Sequence, residues 1–269
     1  AKNAFQFAVD IWETQLISPV TIRVRAQWGS LDVGVLGQAI WGSAFANFDG
    51  AQHLNTYYPV ALAEKITRTD LNATTEPDIV ATFNSSTNWY LGTDGNVPSG
   101  RMDLVTIVLH EIAHGLGFVD TYDGADAQGS VGLDNGGIAI PFVYDLFVTN
   151  SSDQSLFTSF ASPSTQLKTQ LTSNNLSYNS PLAVAAQGSR PKLYAPNPFN
   201  SGSSIAHLDE TFFSNAGDAN KLMTPQIAPA EVIHSPGSIL KNIFSDMGWV
   251  FTKINHTRLK DTERKDGQP

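Results

Sequence analysis

Val108-Leu109-His110-Glu111-Ile112-Ala113-His114-Gly115-Leu116-Gly117-Phe118 is the stretch on which the reading of this chain turns. Two histidines four residues apart on a helix lie one above the other on the same face, so both imidazoles can reach a single metal ion. Glu111 follows the first histidine and sits beside that ion, where it can hold a water and take its proton. The run from Met102 to Leu109 is apolar enough for a buried helix, with Arg101 and Asp103 its only nearby charges. Ser99 is the expected N-cap. Gly115 and Gly117 are expected to let the chain leave the helix sharply.

His-Glu-x-x-His on a helix is the zinc-peptidase signature, with the glutamate as general base and the histidines as ligands. The bland alternative is coincidence. With six histidines in 269 residues, the pattern should arise by chance in on the order of a few chains per thousand. Its position at the end of an apolar helix, not in a solvated loop, lowers that further.

Composition narrows the setting. Hydrophobic residues make up 41% and charged residues 15% of the chain, the profile of a globular protein with a sizeable core. The net charge of -9 argues against nucleic acid or an anionic membrane as partner. No apolar run approaches the ~20 residues of a membrane span. The absence of cysteine excludes a thiolate zinc site and disulfides. Sparse charge with abundant Ser, Thr, Asn and Gly points to a secreted or extracellular protein. The chain opens at Ala1 without an initiator Met or a signal peptide, and is expected to be a mature or trimmed fragment.

Periodicity predicts an α+β fold. Phe5, Ala8, Val9, Ile11, Trp12 and Leu16 mark a helix over 4–16. Pro19 stops it, and alternation over 20–26 predicts a half-buried strand. A second strand, bent at Gly42, is expected over 38–48, a short helix after Pro59, a third strand over 78–83, and then the His-Glu helix. These form an upper α/β lobe, residues 1–114, that ends in the metal-binding helix. Residues 115–254 form a lower, irregular lobe across a cleft. In it, 120–137 reads as an acidic glycine-rich loop, 156–172 and 182–187 as short helices, 191–199 as extended, and 237–247 as a helix begun by Ser235-Pro236 and stopped by Gly248. Residues 255–269 are a polar tail, expected to fray.

A catalytic zinc needs three protein ligands and an open position, and the third is not in the motif. Asp120 stands six residues after His114, a compact spacing. His207, in Ala206-His207-Leu208-Asp209-Glu210, and His234 are the other candidates, while His53 and His256 have no suggestive neighbours. Asp120 also opens the acidic loop, where a turn or a calcium site with Asp123, Asp126 and Asp134 would employ it equally well.

The motif start, the long insertion, His207-Leu208-Asp209-Glu210 and the downstream Leu222-Met223-Thr224-Pro225 resemble the leishmanolysin type of metzincin zinc peptidase. The resemblance spans most of the chain as a pattern but only about twenty residues in detail. It departs in one respect: leishmanolysins are cysteine-rich and this chain has no cysteine. It implies a zincin catalytic domain, His207 as third ligand displaced by an inserted segment, and Met223 in a tight turn beneath the metal. It further implies an endopeptidase acting on protein or peptide substrates with Zn2+, and an inhibitory propeptide upstream. A secreted surface- or glycan-binding module on the same fold is the rival. A structural zinc site, usually closed by four ligands and rich in cysteine, fits less well.

Overall fold

The computed structural model describes residues 1–215 and 217–252. The polar tail therefore lies outside the described residues.

The first helix, α1 (Lys2–Glu13), buries Ala4, Ala8 and Trp12, one residue per turn on one face. Trp12 also donates its indole N–H to the carbonyl of Leu109 at 3.3 Å, so α1 is fastened to the helix that carries His110 and His114. α1 ends three residues before the expected Leu16, which instead pairs with Phe251 near the other end of the chain. The first long strand, β1 (Val24–Gly29), begins later than the alternation suggested. The backbone N–H of Arg23 is taken by the Asp78 carboxylate at 2.7 Å, and the ladder starts only at Val24 opposite Ile79. α2 (Val60–Thr67) and β3 (Ile79–Asn84) follow close to their expected places, but the strand expected over 38–48 is shorter: β2 (Gly37–Trp41) stops before Gly42, which packs against the Pro77 carbonyl, and Ala44–Phe45 pairs separately with Tyr58–Pro59.

The three strands form one sheet in the order β1-β3-β2, with β1 parallel and β2 antiparallel to β3. β3 is central and nearly all buried, which accounts for its continuous apolar run. β2 is left as an edge.

The ligand helix, α3 (Leu104–Leu116), packs across this sheet. Its cap is Asp103 and not Ser99: the Asp103 carboxylate accepts from the Thr106 N–H at 3.0 Å and the Thr106 hydroxyl at 2.6 Å. Ser99 is too early because Met102-Asp103 is still extended, paired in parallel with Trp89-Tyr90. Gly115 also has a different job from the expected one. It lies inside the helix, and a Cβ there would come within 2.3 Å of Ile79 Cγ2, so it lets α3 sit close on the central strand. Gly117, at φ +124°, alone makes the exit.

The second half holds α4 (Leu156–Ser159), α5 (Thr165–Leu171), α6 (Pro181–Gln187) and α7 (Gly237–Met247) among short strands and two 3-10 turns, Val143–Phe147 and Ala219–Met223. The acidic loop contains a small antiparallel pair, Leu133–Asp134 with Ala139–Ile140. At the start of α7 the cap position falls to Pro236, one residue after the expected Ser235. After α7, the Trp249 indole donates to the Leu116 carbonyl at 2.9 Å and closes over the end of α3. Among the described residues no helix is long and apolar enough to cross a membrane. The architecture is α+β.

Asp103→Ala removes both capping bonds and a partner of His234, so a loss of about 1–2 kcal/mol is expected. Differential scanning calorimetry should then show Tm falling by roughly 2–4 °C for each kcal/mol lost. Ser99→Ala should leave Tm unchanged within error; equal shifts for the two variants would refute the cap assignment.

Candidate metal centre

His110 and His114 project from one face of the last turns of α3. His207 arrives from a segment almost a hundred residues later in the chain, and the three form a group whose ligand atoms all lie within 4.8 Å of one another. Among the described residues this is the one group of three or more His, Cys, Asp or Glu side chains so placed.

Each ring is oriented by a backbone carbonyl. His110 Nδ1 lies 2.6 Å from Leu222 O, His114 Nδ1 2.7 Å from Phe118 O, and His207 Nδ1 2.8 Å from Ser203 O. A carbonyl only accepts, so each Nδ1 must carry the proton, and each Nε2 presents a bare lone pair. Those lone pairs face one another: His110 Nε2 is 2.9 Å from His114 Nε2 and 3.2 Å from His207 Nε2. With no proton to share, such contacts are repulsive unless a cation lies between them. Three nitrogens held tetrahedrally at about 2.0–2.1 Å from zinc stand roughly 3.3 Å apart, so the donor set suits that ion. Burial also favours the neutral, ligating form. It lowers the pKa of His110, drives that of His114 well down with help from repulsion by His110 and His207, and brings His207 to about 3.

His207 is held by a tight local frame. Two residues before it, Ile205 has φ +71°, an uncommon value for a β-branched residue. Its N–H donates to Tyr194 O at 2.8 Å and its carbonyl accepts the Tyr144 hydroxyl at 2.9 Å. One residue past His207, Leu208 N–H donates to Met223 O at 2.8 Å. Met223 is fully buried, and its neighbour Leu222 supplies the carbonyl for His110. The Met223 turn thus supports two of the three rings.

Glu111 is buried next to the triad. Burial pushes its carboxyl up to about 8, and Oε2 has no hydrogen-bond partner. Its carboxylate lies over Gly37 of β2, where a Cβ would stand 2.6 Å from Oε1. Triad and glutamate open into a cavity of about 870 Å³ bounded by Gly34–Ala39 on one side and by Leu222 and Thr224–Ile227 on another.

The remaining sequence candidates stand apart. Asp120 lines the cavity but does not belong to the metal group; its Oδ1 accepts from Tyr122 N–H at 2.7 Å. His234 donates to Asp103 at 2.7 Å. In the acidic loop, Asp123 and Asp134 accept from Ala125 N–H and Gly137 N–H at 2.8 Å each, as turn residues do, and no cluster stands behind the calcium expectation. Two features escaped sequence reasoning. Gly37 falls just outside the strand expected over 38–48, though a glycine at a strand position can mark a close approach. The junction of His234 with the Asp103–Thr106 cap had no local signal, since His234 lies more than a hundred residues along the chain.

His207→Ala should abolish stoichiometric zinc binding by elemental analysis of the purified protein, whereas Asp120→Ala should retain it. Full zinc in the first variant and loss in the second would reverse the ligand assignment.

A family model described as "SPBPB7E8-like" matches residues 26–130, from β1 through α3 into the acidic loop. "Uncharacterized protein PB7E8.01" of Schizosaccharomyces pombe (strain 972 / ATCC 24843) is 35% identical over 65 residues, 24% of this chain and 11% of that protein. The chain thus matches over about a tenth of the length of this curated relative. No solved structure matches.

Proposed function

We propose that this chain is the catalytic domain of a zinc-dependent endopeptidase of the metzincin type, similar to the leishmanolysins, with His110, His114 and His207 as zinc ligands and Glu111 as general base. The observation that carries the reading is the convergence of three unprotonated Nε2 atoms beside an unpartnered buried carboxylate, at the wall of an open cavity. A closed structural site would leave neither the cavity nor the orphaned oxygen.

On this reading residues 1–114 are the upper lobe and 115–254 the lower, with the segment before His207 an excursion that returns the chain to the metal. Zinc bound there supplies Lewis-acid chemistry, polarising the scissile carbonyl and making a water acidic near neutral pH. Glu111, whose Oε2 lies unpartnered beside the three rings, would take a proton from the attacking water and return it to the departing amine. β2 offers a docking rail. Leu36 O accepts from Asn84 N–H of β3 and Gly42 N–H donates to Asp78 O just before β3, so by strand alternation Gly37 and Ala39, both on the cavity lining, turn their backbone groups away from β3, free to pair with an extended peptide. Sparse charge with abundant Ser, Thr, Asn and Gly supports a secreted setting.

Glu111→Gln should keep zinc at full stoichiometry and lower hydrolysis of an unstructured protein such as casein by ~10²- to 10⁴-fold. Turnover near the wild-type rate would defeat the mechanism. A zinc-loaded wild type that cleaves nothing would favour the binding-module reading. Gly37→Ala should displace the Glu111 carboxylate and lower kcat while metal content stays unchanged.

A further inference from the structure

The wall of the cavity that follows α3 carries a carboxylate with one oxygen left unpaired. Val119, Asp120 and Tyr122 line the cavity that contains the three histidines and Glu111. Asp120 is half-buried, and Oδ1 is occupied by the Tyr122 N–H at 2.7 Å. Among the described residues, no group donates to its Oδ2 and no cation pairs with it. A turn residue would use the Tyr122 bond in the same way; the turn does not account for a free oxygen on the cavity wall.

Asp145 lies behind Asp120, close enough for the two carboxylates to repel each other. Its own oxygens are fully used, by Thr121 N–H at 3.1 Å, the Thr121 hydroxyl at 2.6 Å and Phe142 N–H at 2.8 Å. The pair therefore has one open end, Asp120 Oδ2. Lys221 also lines the cavity, but it is held by Glu231 at 2.6 Å and Glu210 at 3.5 Å.

We propose that Asp120 is the specificity-determining residue of a subsite for a cationic side chain, lysine or arginine, of the peptide substrate. The proposal rests on the endopeptidase reading above. A cation placed at Oδ2 relieves the repulsion between the two carboxylates and satisfies the open oxygen with a charge-assisted hydrogen bond. Burial and Asp145 both raise the Asp120 carboxyl, and an incoming cation opposes both effects. Val119, Tyr122 and Phe199 on the cavity lining suit the aliphatic stem of such a side chain. The net charge of -9 favours the approach of basic peptides.

The test uses the zinc-loaded Glu111→Gln protein, which should bind peptides without consuming them. Fluorescent peptides carrying a single lysine or a single leucine, moved one position at a time, are titrated by anisotropy. At one position lysine should bind about tenfold more tightly than leucine, the scale of one charge-assisted hydrogen bond. Adding Asp120→Asn should collapse that ratio toward one while zinc content, measured in parallel, stays stoichiometric. The proposal is overturned if no position prefers lysine, if the preference survives Asp120→Asn, or if that variant loses zinc, which would make Asp120 a ligand or its charge partner. Binding of none of the peptides would instead sink the endopeptidase reading, and the subsite with it.

Discussion

Three imidazole nitrogens face one another with their lone pairs bare because the opposite nitrogen of each ring is tied to a carbonyl. Everything else in the molecule serves to keep that arrangement. The carbonyls come from Phe118 just beyond α3, Ser203 in the returning segment, and Leu222 in the Met223 turn. Three separate stretches of chain must therefore meet within a few ångströms. Carbonyl acceptors behind metal-facing histidines fix tautomer and ring angle together, which is how a protein commits imidazole to a cation and not to a proton.

α3 is the fixed member of this arrangement. Gly115 seats it on β3, Trp12 and Trp249 bond to its carbonyls, and Asp103 closes its start. Asp103 reaches further than a cap. It accepts from Thr106 and His234, and the Thr106 hydroxyl in turn accepts from Ile233 N–H at 2.9 Å. The cavity-lining residues Thr106 and Ile233 are thus bonded to each other, so the helix that carries His110 and His114 also anchors another part of the cavity wall.

The charge pattern of the cavity follows from burial. Neutral imidazoles, a glutamate pushed toward its protonated form and the raised Asp120–Asp145 pair share one poorly solvated region. Each of these groups avoids charge in the absence of a cation, and each gains from one nearby.

Local signals in the chain were enough for the order of elements in the first half of the fold and for the pairing of His110 with His114 on one helix face. Helical spacing in 4–12, the apolar run of β3 and the four-residue interval between His110 and His114 are set by neighbours in sequence, and periodicity reports those. His207 could be singled out only through its resemblance to a displaced third ligand, because an isolated histidine has no period. Tertiary structure decided what depends on distant segments meeting. It moved the α3 cap from Ser99 to Asp103, because pairing with Trp89-Tyr90 keeps the chain extended that far. It gave Gly115 a packing role that only the closeness of Ile79 defines. It brought Gly37 under Glu111 and joined His234 to Asp103, contacts between residues dozens to more than a hundred positions apart. It also left Asp120 beside the histidine group and not in it, since spacing along the chain fixes where a side chain begins but not what the returning chain places opposite it.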